Sequence, residues 1–146
     1  MKIIAVLILA ALTGCATTAQ KDLKFEQDLK AVNRLESSLD GTKVKCGNSQ
    51  RCAKMFALTK AYVRANSDMK VQTSDENSIS TYNPITYGHI GLQAELVPDK
   101  GDTGVIKIDG SCKGMLVDPA MYQRDCSNRL ATAFEGFLPY LADKVD

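Results

Sequence analysis

The residues able to do chemistry are few. The chain has one histidine, His89, and five cysteines, Cys15, Cys46, Cys52, Cys112 and Cys126. A histidine can be a general base or a metal ligand. His89 stands in Thr86-Tyr87-Gly88-His89-Ile90-Gly91, inside an alternating strand pattern and opposite Ile90, which puts it on the solvated face as a surface residue. Histidine-based zinc hydrolysis normally needs more than one such ligand. The spacings Cys46 to Cys52 and Cys112 to Cys126 lack the close pairs of structural zinc sites, and there is no Cys-x-x-Cys redox motif. No Gly-x-Ser-x-Gly elbow, P-loop or Gly-x-Gly-x-x-Gly fingerprint occurs. Paired carboxylates can run glycoside hydrolysis. Here Asp75-Glu76 and Asp99, Asp102 and Asp109 fall in turn or strand-end contexts, where aspartate is expected for backbone reasons. The run from Asp99 to Gly104 lacks the alternating acidic ligands and closing glutamate of a calcium loop. The sequence therefore points away from an enzyme and calls for no cofactor and no metal.

The segment that carries Cys15 has its own logic. Lys2 is a short basic start, and residues 3–12 are an uninterrupted apolar run. That is too short to span a bilayer, which takes roughly 20 apolar residues, and it has the length of a signal-peptide core. Leu12-Thr13-Gly14-Cys15 follows at once. A branched aliphatic, two small residues and a cysteine in this place resemble the lipobox of bacterial lipoprotein precursors. The resemblance covers only the first fifteen residues or so. It implies a diacylglyceryl thioether on Cys15, cleavage after Gly14 and acylation of the new amino group. Several acyl chains hold a protein on a membrane stably where one does not, each buried methylene contributing about 0.8 kcal/mol. The residue after Cys15 is Ala16 and not Asp. By resemblance to lipoproteins of Gram-negative bacteria, that favours the outer membrane, facing the periplasm.

Removing the first 14 of 146 residues leaves 132, one domain's worth. Lys2 is the only charge lost, so the net charge falls from +1 to zero. A neutral chain without like-charge blocks has no basic excess to hold nucleic acid. With Cys15 given to lipid, four cysteines remain, and an even number in an exported chain reads as two disulfides. Four cysteines allow three pairings. Local pairs, Cys46–Cys52 and Cys112–Cys126, would each tie the chain leading into a helix to an early turn of that helix. The rival, Cys52–Cys126 with Cys46–Cys112, would staple helix to helix.

The elements that must position these groups follow from periodicity. Residues 16–20 read as a short polar tether, with an extended reach of about 17 Å. Residues 21–39 read as a helix, with Phe25, Leu29, Val32, Leu35 and Leu39 inside one third of its circumference. That stripe suits core packing, or else a partner or a membrane surface. Asp40-Gly41 stops it. Residues 42–46 are a connector or edge strand. Residues 50–65 form a second helix, capped by Asn48 or Ser49, with Cys52, Met55, Phe56, Thr59, Tyr62 and Val63 on one face. Strand alternation then appears in 69–73, 78–82, 87–97 and 105–109, with short connections that favour an antiparallel meander. Asp118-Pro119 starts a last helix with Tyr122, Cys126, Leu130, Ala133, Phe134, Phe137 and Leu141 as its buried stripe, and Pro139 should end or kink it. The expected fold is α+β: N-terminal helices, three or four antiparallel strands, and a C-terminal helix packed on one sheet face. The domains are a signal peptide 1–14, a lipidated tether 15–20 and a single domain 21–146.

The remaining candidate for contact is the stretch from Ser80 to His89, where Tyr82, Asn83, Tyr87 and His89 surround a proline turn. Tyrosine offers rigid contact area with a polar tip, the kind of group enriched at interfaces. The same stretch would also serve as a hairpin connection whose tyrosines pack locally. The function expected from the sequence is a membrane-anchored, non-catalytic binding or scaffolding module that meets a protein or polymer of the cell envelope. The alternatives are an inhibitor that plugs a lytic hydrolase with this loop, an envelope stress sensor that reads redox state through its disulfides, and a cell-wall enzyme.

Overall fold

The computed structural model describes residues 13–113 and 124–145, with side chains from residue 20 onward. The signal core at 3–12, the helix start at Asp118-Pro119 and Tyr122 lie outside the described residues. Helix α1 spans Thr13–Ser38 and passes through a 3-10 turn, Leu39–Thr42, into strand β1, Lys43–Cys46. Helix α2 is Ser49–Asn66. Strands β2 (Val71–Ser74), β3 (Ser78–Thr81), β4 (Ile90–Pro98) and β5 (Gly104–Cys112) follow, and helix α3 is Arg124–Val145. The fold is α+β. Among the described residues, no helix is long and apolar enough to cross a membrane.

Strands β2 to β5 form the antiparallel meander that their short connections imply. The sheet has five strands and not three or four, in the order β1-β5-β4-β3-β2. The additional strand is β1, the edge-strand alternative for residues 42–46, paired to β5 with Val44 opposite Ile106 and Cys46 opposite Gly104. Lys43 and Lys45 alternate with half-buried Val44 and buried Cys46. Outward lysines on an edge strand discourage pairing with another chain.

One sheet face is covered and the other is solvated. Ile79, Ile90, Leu92, Ala94, Ile106 and Ile108 point inward, while Gln93, Glu95 and Asp109 are exposed. Helix α2 lays Cys52, Met55, Phe56, Thr59, Tyr62 and Val63 on the inner face, the stripe expected of it. Its cap is Asn48, whose Oδ1 accepts from the Arg51 amide at 2.8 Å. From α3 come Leu130, Ala133, Phe134, Phe137 and Leu141, also as expected. Tyr62 donates its hydroxyl to the Ala133 carbonyl at 2.6 Å, and burial raises its pKa. Pro139 does not end α3, which runs on to Val145. A proline there removes one backbone bond. Buried Leu141 and the Lys54 ammonium, which donates to the Val145 carbonyl at 2.9 Å, hold the last turns down.

Two expectations for the N-terminal region are corrected. First, residues 16–20 are wound into α1 and are not an extended tether. From Cys15 to Ser38 the helix contains no Gly or Pro to break it. At about 1.5 Å per residue the segment reaches roughly 7 Å. Second, the buried face of α1 is Ala31, Leu35 and Ser38, about 90° around the helix from the centre of the apolar stripe. Phe25, Leu29 and Leu39 are exposed, and Val32 is half-buried. The seam is with α3, where the Arg34 guanidinium donates to both Glu135 oxygens at 2.9 and 2.6 Å and to Thr132 Oγ1 at 3.1 Å. Arg124 meets Gln27 further back along the same seam, so the two helices run in the same direction. Small residues let helices approach closely, and that outweighs the larger side chains on the neighbouring face.

The cysteines bond within their neighbourhoods, Cys46 to Cys52 and Cys112 to Cys126, with Cα separations of 5.1 and 6.2 Å. The first joins the end of β1 to the opening turn of α2. The second joins the end of β5 to the first described turn of α3.

Candidate binding loop

Residues 82–89 connect β3 to β4, and their base is built by groups from three elements. Strand β3 leaves β4 after the Ser80–Gln93 pair. Thr81 continues the pairing with its side chain: Oγ1 donates to the Leu92 carbonyl at 3.0 Å and accepts from the Leu92 amide at 2.9 Å. The Tyr82 amide donates to the Lys70 carbonyl at 3.0 Å. Pro84 is buried over Gly91. A Cβ at Gly91 would sit 2.9 Å from the Tyr82 carbonyl oxygen and 3.2 Å from Pro84 Cδ, so the loop can lie this close only over a glycine.

The other end of the loop is latched by charge. Asp68, just past α2, accepts from the Ile90 amide through Oδ2 at 2.8 Å and from Arg129 Nη2 through Oδ1 at 2.6 Å. Arg129 Nη1 donates to the Gly88 carbonyl at 3.0 Å. Gly88 has φ +78°, a conformation that L side chains rarely adopt, and the loop turns there into β4. Burial opposes the charge on Asp68. The hydrogen bonds from Arg129 and the Ile90 amide, with the charges of Arg129 and His89, outweigh it and hold the carboxyl below its ordinary pKa.

All four residues singled out in the sequence sit on this one loop, and Tyr82, Asn83, Tyr87 and His89 are all exposed. His89 lies just before β4 and not inside a strand, its amide donating to the Thr86 carbonyl at 3.4 Å. Asn83 Oδ1 accepts from Ser111 Oγ at 3.4 Å, and the Lys113 ammonium lies 4.4 Å from the Tyr87 ring centroid. Among the exposed large apolar side chains of the described residues, Ile85 is the most open to solvent, 78 % exposed between two half-exposed tyrosines. It was inside the stretch read from the sequence but was not singled out. Asp68 and Arg129 were missed as well. Asp68 follows the end of α2 with no local partner, and Arg129 lies 61 residues away. The loop thus offers an aliphatic tip flanked by phenols, an amide and an imidazole, on a base that does not have to be ordered when a partner arrives. That is the chemistry of recognition, since preorganised groups lose less entropy on binding.

Of the carboxylates weighed earlier, Asp75 and Asp99 make turns, while Asp109 lies within β5 on the solvated face. Asp75 accepts from the Asn77 and Ser78 amides and from Ser78 Oγ. Asp99 accepts from the Lys100 amide. A groove of about 610 Å³ crosses the solvated sheet face, lined by Lys43, Ser80, Gln93, Glu95, Lys107 and Asp109 among others. Its polar groups answer one another across strands: Thr73 with Ser80 at 2.7 Å, Gln93 with Asp109 at 3.3 Å, Lys107 with Glu95 at 3.5 Å. They converge on no common point, so the loop is the better candidate. Compared with known proteins, the chain matches no family model and no curated sequence.

The latch gives a direct prediction. Asp68→Ala should cost about 1.5–2 kcal/mol, the lower part of the range for hydrogen bonds to charged groups, because Arg129 is partly exposed. Asp68→Asn should recover part of it. Because the folded pKa is depressed, the contribution is complete above the ordinary carboxylate range and is lost as pH falls through the lower folded value. Denaturant unfolding at neutral and acid pH should show the wild-type advantage over Asp68→Ala disappear in acid.

Proposed function

We propose that the mature chain is a lipid-anchored, non-catalytic binding module of a bacterial cell envelope, held by Cys15 and meeting a protein or polymer partner through residues 82–89. The observation that carries the binding half of this reading is the exposed Tyr82, Ile85 and Tyr87 cluster on a base fixed by Asp68 and Arg129. Exposed apolar and aromatic groups on a rigid support suit the centre of an interface. The anchor half rests on the resemblance of Leu12-Thr13-Gly14-Cys15 to a lipobox. The compartment proposed is the outer membrane, facing the periplasm. The two disulfides favour an oxidising space.

The test is photo-crosslinking in intact cells from a reactive residue at position 85, with one at Glu95 on the solvated sheet as comparison. A discrete adduct from position 85 and none from 95 is the expected result. Adducts from 95 alone would overturn the loop as the contact. The projecting aliphatic tip also favours a second reading, inhibition of a lytic hydrolase by insertion of the loop. If the captured partner is such an enzyme, purified domain should lower its turnover and Ile85→Asp should abolish the effect.

A further inference from the structure

Amphipathic helices normally bury their largest apolar side chains, and α1 does not. Phe25 is 69 % and Leu29 49 % exposed, with half-buried Val32 beside them. At 3.6 residues per turn these three positions share a sector of about 60°, turned roughly 120° from the Ala31–Leu35–Ser38 seam. The contacts with α3 through Gln27 and Arg34 engage another flank and leave the stripe open.

Position 15 decides what covers it. Position 15 falls in the same helix, about 75° around the axis from the stripe's centre and so within the same half of the circumference, and about 15 Å along it from Phe25. We infer that the first half of α1 lies on the surface of the phospholipid bilayer, with Phe25 and Leu29 in the boundary between headgroups and acyl chains. This rests on the reading of Cys15 as lipidated. A stripe of two large side chains is too narrow to recruit a free protein to a membrane. Once acyl chains fix one end of the helix at the leaflet, docking of the rest becomes intramolecular, at an effective concentration on the order of millimolar, and a weak contact suffices. Exposed Lys21 and Asp22 flank the stripe at the anchor-ward end, about 50° to either side of its centre, so their charges balance and the apolar side chains carry the contact. The domain then lies alongside its membrane on α1 and does not stand off on a free tether.

The chain contains no tryptophan, so a single introduced one reports alone. The full acylated chain, carrying Phe25→Trp, Leu29→Trp or Lys30→Trp, is bound to vesicles of phosphatidylethanolamine and phosphatidylglycerol, with and without brominated acyl chains, and flotation is scored first. Lys30 is exposed on a different side of the helix from the stripe. Tryptophan at 25 and 29 should be quenched by the brominated chains and be several-fold less accessible to iodide than at 30. If the protein floats but the tryptophan at 25 quenches with iodide as the one at 30 does, the anchor stands and the docking falls. Shielding from iodide without quenching by bromine means that a second copy covers the stripe, which also overturns it. Failure to float removes the lipidated reading and the docking with it.

Discussion

Replacing Phe137 by alanine should lower the free energy of unfolding by about 3–5 kcal/mol, the range for a large aromatic lost from a packed core. Phe137 is fully buried on α3, its ring centroid 5.5 Å from that of Tyr62. Tyr62 cannot lean into the space left behind. Its hydroxyl is bonded to the Ala133 carbonyl, and its other flank meets Tyr140 with ring centroids 5.0 Å apart. The cavity would persist, which puts the cost at the upper end. In a domain of this size the melting temperature should fall by roughly 10–25 °C. Leu29→Ala is the informative contrast. Core packing of the stripe would make Leu29 a core residue, whereas its exposure predicts a change within about 0.5 kcal/mol in the protein free in solution. Calorimetry on the two variants separates the buried seam of α1 from the apolar one. A loss of several kcal/mol at Leu29 would mean that the helix packs by its large side chains after all.

The second large effect belongs to the bridge between Cys112 and Cys126. These positions are 14 apart in sequence, and constraining a loop of that length in the unfolded chain stabilises the fold by about 3 kcal/mol. The consequence is also local. Cys112 ends the strand paired to β4 at Ile90, and Cys126 lies one turn before Arg129, which holds the Gly88 carbonyl and Asp68. Serine at both positions should therefore lower overall stability and raise hydrogen exchange at the amides of 86–90. Serine at both Cys46 and Cys52, 6 apart, should cost about 2.3 kcal/mol by the same loop argument and leave those amides as protected as before. Equal exchange in the two double variants would detach the bridge from the loop.

These expectations show what the sequence could and could not carry. Helix α2 was legible because the stripe it buries, Phe56, Thr59, Tyr62 and Val63, is also its most apolar one, with Tyr62 packed against α3. Strand β4 was legible for a similar reason, since Ile90, Leu92 and Ala94 alternate with polar residues and one face is solvated. Helix α1 was misread because its partner is another helix. A seam of Ala31, Leu35 and Ser38, set by the Arg34–Glu135 pair 101 residues apart, has no local signature. Strand β1 is only four residues long, and its pairing with β5 is a tertiary fact. The loop itself was visible through Asn83-Pro84 and its tyrosines. What makes it rigid was not, because Asp68, Gly91 and Arg129 come from three separate places in the chain and act only when the fold brings them together.

The proposed lipid anchor governs both the proposed function and the proposed posture of α1, and one labelling experiment tests it directly. Cells producing the chain are grown with radiolabelled palmitate, and the protein is recovered from wild type and from Cys15→Ser. The account predicts label on the wild type alone, with the serine variant keeping residues 1–14 and losing retention by lipid. An unlabelled wild type, or a serine variant that is still cleaved and held at the membrane as before, would contradict it.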